Sequence, residues 1–262
     1  MDINKNEVNI FFYWDKGLIN LPPMLKTIYD SNILICNEFN MNLHFIDDNN
    51  VHDYIDVPSR YHKLKPNYKS DIIRYFILHK FGGFWFDCDV IIIKDLHQIF
   101  SEFLESSFDI ILDVEHKNKN IGCASLCMKQ NSIASKFCVD HVNSYLNSHQ
   151  KIHWNCLGPN TVRKLYRVHC NIVNLHKRNI VKHGCNFICH HMIPGKNKKK
   201  WFRKTDEIAY DRASILKNKE TCHYVLTWTI YRKNNIKCNI VDLVFRNKRS
   251  IFTYLIHKDT LN

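Results

Sequence analysis

Nowhere does the sequence hold an apolar run long enough to cross a bilayer. The best candidate, residues 72–93, is broken by Arg74, His79, Lys80 and two aspartates, and a span needs roughly 18 to 20 apolar residues in a row. A signal peptide is also missing, so the expectation is a cytoplasmic or virion-associated protein with no membrane anchor. Internal repeats and linker-like stretches are absent as well, which makes residues 1–262 one domain. Acids are in deficit: 25 Asp plus Glu stand against 37 Lys plus Arg, a formal charge of +12. That surplus suits an anionic partner such as nucleic acid, a membrane surface or a phosphorylated small molecule. No recognition helix or RNA-binding signature accompanies it, and the densest basic run, "KNKKKWFRK" at 196–204, reads as a solvated loop. The 11 cysteines are odd in number and scattered, as expected for reduced thiols rather than a disulfide framework. Cys185, Cys189, His190 and His191 cluster without the spacing or the second pair of a zinc site.

Hydrophobic residues make up 45% of the chain and aromatics 13%, enough for a real core and too much for a disordered chain. "NIFFYW" at 9–14 has the length and composition of a first strand. Helical spacing follows over 24–39, then a short strand in "NLHFIDDNN" that ends at Asp47 and Asp48. Over "YKSDIIRYFILHKF" (68–81), Ile72, Tyr75, Phe76 and His79 share one helical face, with Ser70 available as N-cap and Asp71 in the first turn. Gly82 and Gly83 stop this helix and turn the chain into an apolar strand over 84–93. A strand at 108–115 and a helix at 133–146 continue the alternation, and strand-like pieces recur at 171–175, 187–192 and 224–230. Strand and helix in alternation predict an α/β protein with a mostly parallel central sheet.

Inside the apolar strand stand Asp87 and Asp89. Carboxylates at i and i+2 project to one face of a strand, and each costs several kcal/mol to bury as an unpaired ion. A hard divalent cation at the strand end, Mg²⁺ or Mn²⁺, meets that requirement through one or two carboxylates plus substrate phosphates. Asp71 and Arg74, at i and i+3, fall on one face of the preceding helix and can converge on the same point.

The stretch "SDIIRYFILHKFGGFWFDCDV" (70–90) resembles the signature of the DxD sugar transferases. That signature reads Ser-Asp, two apolar residues, Arg, an apolar helix, Gly-Gly, apolar residues, then Asp-x-Asp. The group comprises glycosyltransferase family 32, with capsular polysaccharide and initiating α-1,6-mannosyltransferase enzymes, and more distantly the glucosylating clostridial toxins. Shorter similarities keep the same order: Trp14 after the first strand, "FIDDNN" at 45–50, Leu157-Gly158-Pro159 where many members have Thr-Gly-Pro, and "HYVLTW" at 223–228, with Thr227 for a Ser. The resemblance implies a GT-A fold, Rossmann-like, with its nucleotide-sugar site at the carboxyl ends of the strands. It further implies that Asp89 ligates Mn²⁺ or Mg²⁺, that Asp87 contacts the ribose or sugar and the metal through water, and that Asp71 and Arg74 hold the donor sugar. Trp14 would stack on the base, while Thr227, Trp228 and His223 would reach the phosphates or complete the metal shell. The donor would be a UDP-sugar, or else a GDP-sugar, transferred with retention to an acceptor that is a glycan, a protein or a small molecule. Asp113 and Glu115 are the carboxylates to inspect near that acceptor.

Two other readings compete. A haloacid-dehalogenase-type phosphatase also places Asp-x-Asp after an apolar strand, yet its motif continues to Thr or Val where this chain has Ile91. A basic nucleic-acid-binding or scaffold protein without catalysis accounts for the charge and leaves the aspartate pair unexplained. The Asn, Ile and Lys excess reflects an AT-rich genome and fits a large DNA virus or an AT-rich microbe.

Overall fold

A computed structural model describes residues 3–4, 7–92, 95–115, 120–148, 150–169 and 223–225. Thr227, Trp228, the basic run at 196–204, the Cys185 cluster and the pieces at 171–175 and 187–192 lie outside the described residues.

The chain runs β1 (Asn9–Tyr13), α1 (Pro23–Glu38), β2 (Asn42–Ile46), α2 (Val51–Tyr54), α3 (Pro66–Phe81), β3 (Gly83–Phe86) and β4 (Val90–Ile92). It continues through α4 (His97–Glu105), β5 (Ile110–Glu115), β6 (Asn120–Met128), α5 (Ile133–Asn147), α6 (Pro159–Val168) and β7 (His223–Val225). Five strands form one sheet in the order β2-β1-β3-β6-β5. β1 lies parallel to β2 and β3, and β6 runs antiparallel to β3 and β5. The expected α/β class is what the structure has, with its parallel pairings on the side of the sheet that carries the site.

Helices cover both faces, which is why the strands read as continuous apolar runs. Ile10 and Phe12 of β1, with Phe84 and Phe86 of β3, pack against Leu25 and Ile28 of α1 and Phe100 and Phe103 of α4. Phe11, Tyr13 and Trp85 alternate to the other face and meet Ile72, Tyr75 and Leu78 of α3, Val142 of α5 and Leu165 of α6. Each such fully buried side chain contributes about 1.5–3 kcal/mol of apolar transfer.

Two expectations for the signature stretch are corrected. α3 begins four residues earlier than Ser70, capped at Lys65 with Pro66 at N1, so Asp71 lies in its second turn and not its first. Proline belongs at N1 because its missing N–H is one the helix cannot pair there anyway. The helix is also buried on more than one face: Asp71, Ile73, Arg74 and Ile77 are as enclosed as Ile72 and Tyr75. The apolar strand expected over 84–93 is in fact two strands, because β3 stops at Phe86 and β4 starts at Val90 in a separate two-stranded sheet with β7. Between them the Val90 N–H closes a turn on the Asp87 carbonyl at 2.9 Å.

Gly82 and Gly83 end α3 with φ of 70° and 92°, a region that disfavours side chains. A Cβ on Gly83 would in addition stand 2.5 Å from the Asn9 carbonyl oxygen, so only glycine lets β3 enter beside β1. The far side of the turn is held by Asn32 of α1, whose buried side-chain amide donates to the Val90 carbonyl and accepts from the Ile92 N–H, both at 2.9 Å.

The carboxyl ends of β1 and β2 are tied to α3 through Asp48. Its Oδ1 accepts from the hydroxyls of Tyr13 (2.7 Å) and Tyr61 (2.8 Å), and its Oδ2 from Lys69, itself nearly buried. Burial works to raise the Asp48 carboxyl, but Lys69 and the two tyrosines outweigh it and hold the group below its ordinary range. Because the folded pKa is depressed, this stabilisation is present above the ordinary carboxylate range and is lost as the pH falls through the folded value. Asp48→Asn is therefore expected to destabilise the protein by about 1–3 kcal/mol at neutral pH. Urea unfolding at pH 7 and at pH 3 checks this: the difference between variant and wild type should shrink in acid.

Candidate active site

Trp14, Asp47 and Asp48, and the Asp87–Asp89 turn follow β1, β2 and β3 respectively, so all stand at the carboxyl end of the parallel strands. Loops at that end converge where strand order fans out to either side, the usual position of a ligand in an open α/β sheet.

Arg74 is the centre of the cluster. Only 3% exposed, it uses all three guanidinium nitrogens: Nε donates to the Ser70 carbonyl (3.3 Å), Nη1 to the Cys123 carbonyl, and Nη2 to Ser70 Oγ (3.1 Å). Nη2 also pairs with Asp71 Oδ1 at 3.1 Å and Asp87 Oδ1 at 3.2 Å. The guanidinium lies 5.3 Å from the Trp85 ring centroid, and the Trp85 indole N–H donates to the same Asp87 oxygen at 2.9 Å. Burial opposes the charge on Arg74, but Asp87 first, with Cys123 and Asp71 behind it, raises the group above its ordinary range and keeps it a cation.

The two carboxylates it holds differ in environment. Asp71 is 8% exposed, and burial, only partly countered by Arg74 and reinforced by Asp87, pushes its carboxyl up to about 6. The Asp87 side chain is 35% exposed, so one oxygen is fixed by Arg74 and Trp85 while the group remains open to a ligand. Asp89 sits two residues on, half-buried, in the same turn. Cys88 between them points inward, its Sγ donating to the Tyr13 carbonyl at 3.2 Å, and burial with both flanking aspartates pushes the thiol well up. That contact seats the turn against the end of β1, beside Trp14.

Trp14 packs against the core on the α1 side of the sheet, and its indole N–H is the one buried side-chain donor or acceptor without a partner among the described residues. An unsatisfied buried N–H costs about 1–3 kcal/mol.

The Leu157-Gly158-Pro159 turn closes over α3. The Tyr75 hydroxyl donates to the Gly158 carbonyl at 2.8 Å, and the Thr161 hydroxyl to the Leu157 carbonyl at 2.7 Å. A Cβ on Gly158 would overlap the Asp71 carboxylate, 2.7 Å from its Cγ and 2.8 Å from its Oδ2. Glycine is required here by close approach to an acid. Gly158 is also the N-cap of α6, so the helix presents the positive end of its dipole toward Asp71.

The structure thus brings Asp71, Arg74 and Asp87 into one ion cluster and sets Asp89 in the turn beside it. His223 lies on β7, paired through the backbone with Ile92; its side chain is outside what is described. Asp113 and Glu115 lie on β5, their side chains likewise outside. Trp85 is not singled out by the sequence, and Gly158 enters there only through the Leu157-Gly158-Pro159 resemblance, with no role attached. Trp85 was findable, since it stands at i−2 from Asp87 and so shares its face. The closeness of Gly158 to Asp71 has no local signal. Among the described residues no three His, Cys, Asp or Glu side chains are grouped to hold a metal. A divalent cation that takes one or two carboxylates and completes its shell with phosphates and water needs no such group, and Asp87 with Asp89 fits it.

An α/β sheet with acids presented at the carboxyl ends of its parallel strands has the architecture of a ligand-binding site. Residues 1–157 match the capsular polysaccharide synthesis protein family, and the chain belongs to that family. The family is described by its part in capsular polysaccharide synthesis. No curated protein sequence matches the chain. Among solved structures it is similar to the PaToxG glycosyltransferase at 18% identity, covering 74% of this chain and 83% of that one with a TM-score of 0.45. The apo-form glycosyltransferase GlyE of Streptococcus pneumoniae TIGR4 is similar at 13% identity over 61% of this chain, which spans only 43% of that protein, with a TM-score of 0.38. The galactosyltransferase LgtC, solved with donor and acceptor sugar analogues, is similar at 12% identity over 55% of this chain and 67% of its own, with a TM-score of 0.32. No helix among the described residues is long and apolar enough to cross a membrane.

The contact between Gly158 and Asp71 predicts a coupled pair. Gly158→Ala should destabilise by about 1–3 kcal/mol through overpacking, and substantially less in an Asp71→Ser background. Thermal unfolding of the four proteins in that cycle measures the coupling directly.

Proposed function

We propose that the chain is a divalent-metal-dependent GT-A-type glycosyltransferase that uses a nucleoside-diphosphate sugar, UDP-linked by preference and GDP-linked otherwise, and transfers the sugar with retention. The observation that carries this reading is the Arg74 cluster: a buried guanidinium holds one carboxylate of a helix and one of a strand-end turn at a single point. The resemblance to family 32 assigns the same residues to the donor sugar and its diphosphate, and the family description favours a glycan acceptor.

In this reading Asp89, Asp87 and His223 would hold Mn²⁺ or Mg²⁺, which when bound neutralises the charge that grows on the leaving diphosphate. The chain's own residues do the positioning. Trp14 stacks on the base. Asp71 accepts from donor-sugar hydroxyls, and Arg74 keeps that carboxylate from rotating because Ser70 and Cys123 hold the guanidinium in turn. Thr227 and the Trp228 indole N–H donate to the phosphates. No carboxylate need act as nucleophile, since a leaving phosphate oxygen on the same face takes the acceptor proton as the new glycosidic bond forms.

Asp89→Asn is expected to abolish Mn²⁺-dependent release of nucleoside diphosphate from every nucleotide sugar the wild type accepts, with an unchanged circular-dichroism melt. Turnover like that of the wild type in this variant overturns the assignment.

The pH profile tests Asp71. Its carboxyl is neutral below about 6 and ionised above, and the ionised form is the better acceptor for sugar hydroxyls. Donor hydrolysis (kcat/KM) should therefore rise about tenfold per pH unit below this value and level off above it. Asp71→Asn should lose the acid limb along with most of the rate; the same inflection in the variant would take Asp71 out of the donor site.

A further inference from the structure

The segment that ends in Gly158 carries a second feature that packing does not explain. Trp154, four residues before Gly158, is 73% exposed. An indole is the largest apolar side chain, and leaving it in water forfeits the burial it would otherwise contribute. Nor is its loop loosely held. The Tyr145 hydroxyl of α5 donates to the Lys151 carbonyl at 3.0 Å, and the Tyr68 hydroxyl of α3 reaches the Ile152 carbonyl at 3.4 Å. The Cys156 N–H donates to the His153 carbonyl at 3.2 Å and the Asn160 N–H to the Asn155 carbonyl at 3.0 Å, with Asn155 in the left-handed region at φ 71°. Cys156, Leu157 and Gly158 are buried. The backbone on both sides of Trp154 is thus fixed to α3, α5 and α6 while its ring projects into solvent.

Position gives that ring its meaning. Four steps of 3.8 Å between successive Cα atoms put Trp154 within about 15 Å of Gly158 along the chain, and Gly158 touches Asp71. An exposed aromatic face on an anchored backbone therefore stands within about 15 Å of the Gly158 that covers Asp71, within the length of a short oligosaccharide. The C–H face of a pyranose ring stacks on indole, and a backbone already held in place lowers the entropy cost of using that face.

We propose that Trp154 is the acceptor platform: a sugar ring of a glycan acceptor stacks on its indole and is thereby aligned with the donor sugar at Asp71. This rests on the glycosyltransferase reading above and narrows its acceptor to a saccharide chain. The residue acts in binding and specificity and moves no proton.

The test uses the full chain labelled with 5-fluorotryptophan, whose Trp154 resonance is identified by its loss in Trp154→Phe. Cellobiose, lactose, maltotriose and N,N′-diacetylchitobiose are titrated with Mn²⁺ and UDP present. At least one is expected to shift the Trp154 signal saturably. Isothermal titration of that sugar should show binding about tenfold weaker in Trp154→Ala and largely restored in Trp154→Phe, with unfolding midpoints alike. A Trp154 signal indifferent to all four saccharides, or undiminished affinity in Trp154→Ala, overturns the proposal. Release of UDP from UDP-sugars by the wild type reports separately on the donor side. Absence of nucleoside diphosphate release from both UDP-sugars and GDP-sugars would sink the glycosyltransferase reading, whereas release from either with an unresponsive Trp154 sinks only the platform.

Discussion

A guanidinium out of water must be met by acceptors on every nitrogen, and the way Arg74 satisfies this organises the region around it. Two of its acceptors are backbone carbonyls, on α3 and β6, and two are carboxylates, on α3 and in the turn after β3. Removing either carboxylate leaves a buried charge less well compensated, a larger loss than the pair's own net stabilisation. Arg74 is therefore a strut between helix and sheet. Its substitution disturbs Asp71 and Asp87 together and cannot separate the helix's contribution from the strand's.

The same cluster divides labour between two acids of one residue type. Asp71, enclosed under Gly158, has its carboxyl pushed up to about 6, close to neutrality, whereas Asp87 keeps an exposed flank beside Asp89. Carboxylates set apart by environment in this way are a common mark of functional sites. The separation follows from packing: β3 ends at Phe86 and releases its next residue into a turn, while Asp71 stays within a buried helix.

Much of this was legible in the sequence. β1, α1, β2, β5 and α5 fall within about two residues of where periodicity puts them, because each has a continuous apolar pattern between polar flanks. The double glycine ends α3 as read. The start of α3 was misread at Ser70, although Pro66 carried the N1 signal. The break between β3 and β4 had no such marker: residues on both sides of Asp-Cys-Asp are apolar because both strands are buried, and burial does not say in which sheet. β6, "NIGCASLCM", escaped notice because its small residues lack the β-branched and aromatic enrichment of a strand. In the site, the pairing of Asp71 with Arg74 follows from helical spacing, whereas the reach of Arg74 to Asp87, like that of Gly158 to Asp71, is tertiary and leaves no trace in local pattern.

The side-chain amide of Asn32 has a consequence for how the molecule meets others of its kind. Successive residues of a strand offer their N–H and C=O groups to opposite edges, so Val90 and Ile92 face one way while Ile91 faces β7. An edge left open there would template the addition of a foreign strand. One amide, donating to Val90 and accepting from Ile92, occupies that edge as a single link of an absent neighbour would. Among the described residues that edge of β4 is thus covered by a helix side chain, at the very strand that follows the Asp87–Asp89 turn, and association along it is disfavoured.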